Sequence, residues 1–287
     1  MDNDIKIVGI GEGGAKIINK LIQAGVDKKK SVEFIAIGND ENIMLTSPAR
    51  KNIFLNRDLT IVYKSIFEAL EGAKVIFIVA GLAGNAAKSA IPIIMSYAKT
   101  YNTLTVVFVC KPSVLENSTR KINSEYTMNY LREVNTLFVV PAEKFFVLRI
   151  NQPQISLQEL FEVADEVFCQ GVKILLDLND FKFGNAAFGY GEATNAIEAI
   201  KIAAKFPTLE ENDLSEATAV FVHVTSGKSL TTASLDAATN FIKDKLQPDA
   251  EFFSQEETSS ALGDKIFAAI ILTRKENAPR STRLKLS

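Results

Sequence analysis

Gly9, Gly11, Gly13 and Gly14 stand where an apolar run of strand type gives way to an amphipathic run of helix type. The stretch Ile5 to Ile17 reads IKIVGIGEGGAKI. Glycine tolerates positive φ and lets a backbone approach a ligand closely. A helix start offers free N–H groups and the positive end of its dipole to an anion. The chemistry this spacing suits is a phosphate cradle, and its plain alternative is a tight strand-to-helix turn. Asp40 follows the second strand-like run, where an acidic residue can hold a ribose. Lys88 and Ser89 suit an anion at a helix start, or an ordinary helix start. They do not make a Walker loop, because Ala87 stands where that loop needs glycine. His223, the single histidine, lies in an alternating strand-like run and reads as structural. Cys110 and Cys169 sit in apolar contexts without metal-ligand spacing and read as small buried hydrophobes.

These residues need a scaffold. Strand-like runs at Ile5–Ile10, Val32–Ile37, Asn52–Leu55, Lys74–Ala80, Leu104–Cys110 and Thr136–Val140 are apolar throughout, as strands buried on both faces are. Helical runs fall between them at Ala15–Ala24, Ile61–Leu70, Lys88–Lys99 and Asn117–Leu131. The alternation predicts a doubly wound, mostly parallel α/β sheet that binds its ligand at the carboxyl ends of the strands. Ser156 and Glu159 form a capping box before a long helix from Leu157 to about Lys173. A strand at Asn185–Tyr190, a helix at Ala196–Lys205, a strand at Thr218–Val224, a helix at Leu235–Leu246 and a strand at Lys265–Thr273 follow. They predict a smaller α+β domain. The division read from the sequence is a nucleotide-binding domain over 1–152, a central helix over 153–178, an α+β domain over 179–273 and a basic, disordered tail over 274–287. The aromatic stripe of Phe145, Phe146, Phe161 and Phe168 reads as core, and Lys28 to Lys30 as a solvated turn.

The chain has 287 residues, 47% apolar and 23% charged, with a formal net charge of −2. That balance suits a globular protein and argues against wholesale nucleic-acid or membrane binding. No apolar run approaches the roughly 20 residues that span a bilayer. The acidic start, Met1 to Asp4, has no signal-peptide pattern, so the expected location is cytoplasmic.

Several stretches in order resemble the FtsZ/tubulin superfamily, in particular bacterial and archaeal FtsZ. Ile5–Asn19 is similar to the first phosphate loop of FtsZ, and Phe34–Asp40 to its second strand and following Asn-Thr-Asp loop. Ala69–Gly81 resembles the entry to its fourth strand. Phe161–Val172 (FEVADEVFCQGV) resembles its central helix and is the most specific match. Pro248–Ala250 and Leu262–Lys265 resemble turns of its second domain. The resemblance implies the FtsZ/tubulin fold: a nucleotide-binding α/β domain joined by a long central helix to a smaller α+β domain. Residue by residue, it implies phosphate contacts from Gly9, Gly11, Gly13, Gly14 and Gly84, with Asp40 on the second loop. It implies ribose contact by Glu116 within Leu115-Glu-Asn-Ser-Thr-Arg120, with Arg120 on the arginine of that segment. It also implies guanine contact by Phe161 and Asp165. A carboxylate can accept both the N1 and N2 protons of guanine.

The sequence departs from the family pattern in several places. The second glycine loop is Ala83-Gly-Asn-Ala-Ala-Lys-Ser89, where only Gly84 survives and methyl groups replace hydrogens. The family's Pro-Asn-Asp is Pro141-Ala-Glu143 here. Glu12 stands among the glycines and Lys16 replaces an asparagine, and a carboxylate in a phosphate cradle is repulsive unless it faces solvent or pairs with Lys16. The segment after the third strand is short. By comparison with the family pattern, about 15 residues of catalytic loop and the helix after it are missing beyond the central helix. Asp177 and Asp180 keep the D-x-x-D spacing of that loop's catalytic carboxylates, yet Asp177 aligns equally well with an aspartate inside the central helix.

The resulting expectation is an FtsZ/tubulin-like protein of cytoskeletal or cell-division type, self-associating or binding a related filament former, with weak or absent GTP hydrolysis. GTP or GDP is the implied ligand, or none if the pocket is dead, with Mg only alongside GTP. No protein-held metal, nucleic acid or integral membrane segment is expected. The resemblance implies a partner-binding tail after a long linker, whereas the expectation from 274–287 is a short basic tail, which puts the usual division partners in doubt. An active polymerising FtsZ-type GTPase is one alternative. A dinucleotide-dependent oxidoreductase is a second, which the lone His223 on a second-domain strand makes unattractive.

Overall fold

The computed structural model describes residues 4–26, 31–55, 58–143, 145, 156–178, 184–206, 214–228 and 230–273. The chain divides into two compact units between Phe183 and Gly184.

In the first unit, six strands are joined in parallel in the order β3-β2-β1-β4-β5-β6. They are β1 (Ile5–Ile10), β2 (Val32–Gly38), β3 (Lys51–Phe54), β4 (Val75–Gly81), β5 (Leu104–Lys111) and β6 (Thr136–Pro141). The strand order reverses between β1 and β4, so the crevice beyond their carboxyl ends is the natural ligand site of this topology. The helices are α1 (Gly11–Gln23), α2 (Glu41–Thr46), α3 (Leu59–Leu70), α4 (Asn85–Tyr101), α5 (Ser118–Tyr130) and α6 (Leu157–Leu178).

Apolar residues line both faces of the sheet, which is why these strands lack polar alternation. On one face Val8, Ile35, Ile78 and Val107 join Ile66 of α3 and Ile91 and Ile94 of α4 in one core. On the other, Phe108 stacks on Phe138 at 4.3 Å and meets Phe168 of α6 edge-on at 6.2 Å. A Cβ built on Gly171 would lie 2.6 Å from the Phe108 ring, so glycine lets α6 lie flush on β5. The capping box is present: the Ser156 hydroxyl accepts from the Glu159 N–H at 3.2 Å, and the Glu159 carboxylate accepts from the Ser156 N–H at 2.7 Å.

Two helix boundaries and one short helix stand out against the sequence reading. Helix α1 begins at Gly11 rather than Ala15 and takes the glycines into its first turn. The absence of proline and the apolar face from Ala15 onward carry the helix through poor helix formers. Helix α6 runs past Lys173 to Leu178, because Ile174, Leu175 and Leu176 continue its buried face. The short helix α2 gives no periodic signal in six residues.

Lys6 and Glu33 are register partners on β1 and β2, both buried, and form an ion pair. Burial pushes Glu33 up, but its bond to Lys6 and the charges of Lys6, Lys51 and Arg50 outweigh it and hold the carboxyl below its usual range. A depressed carboxylate adds stability above its unfolded pKa and loses it as pH falls through the folded value. Glu33→Gln is therefore expected to cost about 1–2 kcal/mol at neutral pH. The difference from wild type should close as urea titrations move below about pH 4. A constant difference across that range would remove the pair from the acid response.

The second unit contains β7 (Gly184–Ala193), α7 (Ala196–Ala204), β8 (Ala219–Ser226), α8 (Thr232–Lys243), β9 (Glu251–Thr258) and β10 (Ile266–Thr273). The order is β7-β10-β8-β9, with β10 antiparallel to β7 and β8 and β9 parallel to β8. Val220, Val222, Val224, Ala268, Ile270 and Leu272 pack with Ala199 and Ile200 of α7 and Ala238 and Ile242 of α8. The sequence reading omits β9. Its EFFSQEET run is acidic, and no residue of this edge strand is fully buried. His223 is buried within the sheet, with Nε2 3.1 Å from the Thr225 hydroxyl and 3.5 Å from the Glu257 carboxylate. Asp180, Lys28 to Lys30, Phe146 and the tail from 274 lie outside the described residues.

Candidate functional site

The four glycines of the opening turn do different work. Gly11 has φ +74, the left-handed region that turns the chain from β1 into α1. A Cβ on Gly14 would lie 2.6 Å from the Val79 carbonyl oxygen and 2.7 Å from the Gly9 carbonyl carbon. A Cβ on Gly9 would in turn strike the Gly14 carbonyl and Ile18. Gly9 and Gly14 therefore let α1 pack on β1 and β4. Gly13 has nothing within 4 Å of its Cβ position and lines the cleft, so its hydrogen leaves a ligand room to approach.

Two helix starts face that cleft. Helix α1 has Ile10 and helix α4 has Gly84 at the capping position, and neither receives a side-chain cap. Their N–H groups are thus available to an anion. The starts adjoin: a methyl on Gly11 would lie 3.8 Å from the Ala86 methyl. The cleft measures about 430 Å³ and runs from these helix starts past the ends of β4 and β5 to α6. Ala83, Ala86 and Ala87 place methyl groups along the wall where the second glycine loop was expected.

At the far side stands Asp165 of α6, half-buried. Burial pushes its carboxyl up, Lys20 and Lys16 pull it down, and the net position lies above the usual range. A carboxylate kept partly desolvated suits donors brought by a ligand. Glu116 and Arg120 also line the cleft and pair at 2.9 Å across the start of α5. Asn117 caps that helix by accepting from the Arg120 N–H at 3.0 Å, which fixes the register of the pair. Lys16 donates to Glu12 at 2.7 Å on the first turns of α1, and this bond raises the Lys16 pKa above the ordinary lysine value.

The cleft brings together Gly11, Gly13, Gly14, Gly84, Glu116, Arg120 and Asp165. Gly9 lies behind it as packing. Asp40 stands apart in an adjoining hollow bordered by Gly11, Glu12 and Gly84, and its carboxylate caps α2 by accepting from the Ile43 N–H at 3.1 Å. Phe161 and Asp177 occupy positions on α6, Asp177 in its last turn. Lys88 turns away, its ammonium 5.7 Å from the Tyr126 ring, and neither it nor Ser89 lines the cleft. Ala142, on the loop that departs from the family's Pro-Asn-Asp, lines the cleft, and so do Cys110, Lys111 and Pro112, which sequence reasoning did not assign to the wall. Their signal was position: Cys110 and Lys111 end β5, Pro112 follows it and Ala142 follows β6, at the carboxyl ends of the strands where this topology binds ligands. Burial pushes Cys110 up to about 12, which makes it wall rather than nucleophile. Among the described residues no group of three or more His, Cys, Asp or Glu is arranged to hold a metal, and no helix is long and apolar enough to cross a membrane.

The comparisons agree with this geometry. The sequence model of the tubulin/FtsZ family GTPase domain matches residues 4–149, and that of the FtsZ family C-terminal domain matches residues 184–275. Cell division protein FtsZ 1 of Thermococcus kodakarensis is 29% identical over 306 residues, covering 94% of this chain and 80% of its own length. Cell division protein FtsZ of Caulobacter vibrioides is 29% identical over 311 residues, and the match spans 96% of this chain but only 60% of that protein. An empty FtsZ dimer from M. jannaschii superposes with a TM-score of 0.79 at 25% identity, over 94% of this chain and 88% of that one. CetZ2 of Haloferax volcanii, solved as a GTPγS-bound protofilament, shares the fold with a TM-score of 0.72 at 18% identity, over 96% and 95%. With both domains matched in order and the cleft at the switch point of the sheet, the chain belongs to the tubulin/FtsZ family.

Proposed function

We propose that this chain is a self-associating cytoskeletal protein of cell-division type that binds a guanine nucleotide in the α1–α4 cleft and hydrolyses it weakly or not at all. The cleft carries the reading: two uncapped helix starts at one side and a partly desolvated carboxylate, Asp165, at the other. Phosphates suit the first, and the N1 and N2 protons of guanine suit the second. Gly13 supports the fit, because its vacant Cβ position leaves the backbone open to a ligand. Glu116 and Arg120 line the same cleft, where Glu116 would hold a ribose. A Mg²⁺ ion would enter held chiefly by the phosphates of GTP.

Weak hydrolysis is supported by what surrounds the phosphate side. Hydrolysis needs the terminal phosphate held and a water oriented. Strand β3 ends at Phe54 and α3 starts at Leu59, so little chain is available to reach a third phosphate. Helix α6 ends at Leu178 and β7 starts at Gly184, a span too short for a separate catalytic loop and helix. Asp177 within the last turn of α6 reads as a helix residue rather than a loop carboxylate. Self-association is supported by family membership and by the solved FtsZ dimer.

Phosphate release measured at rising protein concentration tests this reading. The expected result is little turnover and no dependence on concentration. Concentration-dependent release that disappears in Asp177→Ala or Asp180→Ala protein would instead establish an active polymerising GTPase. Calorimetric binding of NAD without guanine nucleotide would favour the dinucleotide oxidoreductase.

A further inference from the structure

We propose that Glu12 and Lys16 form a displaceable countercharge pair: an entering phosphate takes Lys16 from Glu12, and Glu12 then biases the cleft toward nucleoside diphosphates over triphosphates. The inference rests on the guanine-nucleotide reading above and adds what selects among those nucleotides.

Glu12 is the second residue of α1 and Lys16 stands one turn below it. Both line the cleft, and their side chains are 63% and 59% exposed, so water and ligand reach them. The Lys16 ammonium meets Glu12 at 2.7 Å and also feels Asp165 across the cleft. Before a ligand arrives, the cleft thus holds a ready cation that is already neutralised. An exposed i,i+4 pair is weak. A phosphate flanked by two helix starts is a better partner for that ammonium than a solvated carboxylate, so exchange is favourable.

Release leaves Glu12 unpaired beside the bound anion. Glu12 borders both the main cleft and the adjoining hollow, where Asp40 is the other carboxylate. A phosphate chain that extends along the two helix starts enters that hollow and meets both negative groups. Each added phosphate charge then raises the repulsion. Lys16 favours the first phosphates, and Glu12 opposes the last.

The test is calorimetric titration with GDP and with GTP of wild type, Glu12→Gln, Lys16→Ala and the double variant. Both side chains are exposed, so the variants keep the fold, and thermal melts check it. In Glu12→Gln, GDP affinity is expected to rise about threefold and GTP affinity about tenfold, narrowing the preference for GDP. In Lys16→Ala, GDP affinity is expected to fall at least about fivefold, because the phosphate loses a cation and meets an unpaired Glu12. The double variant should recover part of that loss. Wild-type binding of GDP and GTP with equal affinity, or binding unchanged by Glu12→Gln, would overturn the pair's role while leaving the guanine reading intact. Absence of binding to wild type and all variants would remove both.

Discussion

Gly14→Ala is expected to destabilise the first unit by about 3–4 kcal/mol, lowering its melting temperature by about 10 °C. The added methyl has no space. It would lie 2.6 Å from the Val79 carbonyl oxygen and within 2.9 Å of two Gly9 backbone atoms. Those are backbone atoms of two paired strands, so neither can rotate away as a side chain would. Relief requires α1 to lift off the sheet, which also displaces the first turn that faces the cleft. Gly13→Ala makes the contrast. Its Cβ meets nothing within 4 Å, its φ is not in the left-handed region, and alanine favours a helix by up to about 1 kcal/mol. Gly13→Ala should therefore melt at or above the wild-type temperature while binding GDP less tightly, since the methyl fills the approach to the N–H groups. Urea denaturation and GDP calorimetry on both variants check the pair. Equal stability of Gly14→Ala and wild type would mean that α1 is not seated as described.

That contrast shows why the glycine motif was legible as a motif but not in its parts. Spacing marks a strand, a turn and a helix, and four glycines look alike. Only the distance to neighbouring backbone separates packing at Gly9 and Gly14, left-handed φ at Gly11 and open approach at Gly13. The parallel core was legible because its strands are buried on both faces and carry no polar alternation. Strand β9 was not, because an edge strand needs no apolar pattern. Asp40 illustrates a different limit. An acid after a second strand suits a ribose or a helix cap equally, and its bond to the Ile43 N–H uses it as a cap. A pairing of Glu12 with Lys16 was legible only as one of two ways to tolerate the carboxylate, because the helix was read from Ala15; its start at Gly11 makes the two an i,i+4 pair on the cleft wall.

Asp165→Asn is expected to lower GDP affinity about 100-fold and to create affinity for xanthosine diphosphate. On the proposed reading the carboxylate accepts two guanine protons at once. The amide keeps the shape and one acceptor but turns an N–H toward the guanine amino group, where donor faces donor. Xanthine carries a carbonyl at that position, so the same N–H becomes a partner. A purely structural role for Asp165 predicts no such exchange of bases. The stability change supplies an independent readout. Burial is the largest influence on Asp165 and leaves its pKa raised. A raised carboxylate favours the fold below its unfolded pKa and loses that contribution as pH rises, so at neutral pH its charge opposes folding. Removing the charge should therefore leave the melting temperature unchanged or higher at pH 7, with the gap closing toward pH 4. A variant that binds GDP as wild type does would take guanine recognition away from Asp165. One that loses GDP, gains xanthosine diphosphate and melts no lower would identify a carboxylate that costs the fold stability for the sake of the base it reads.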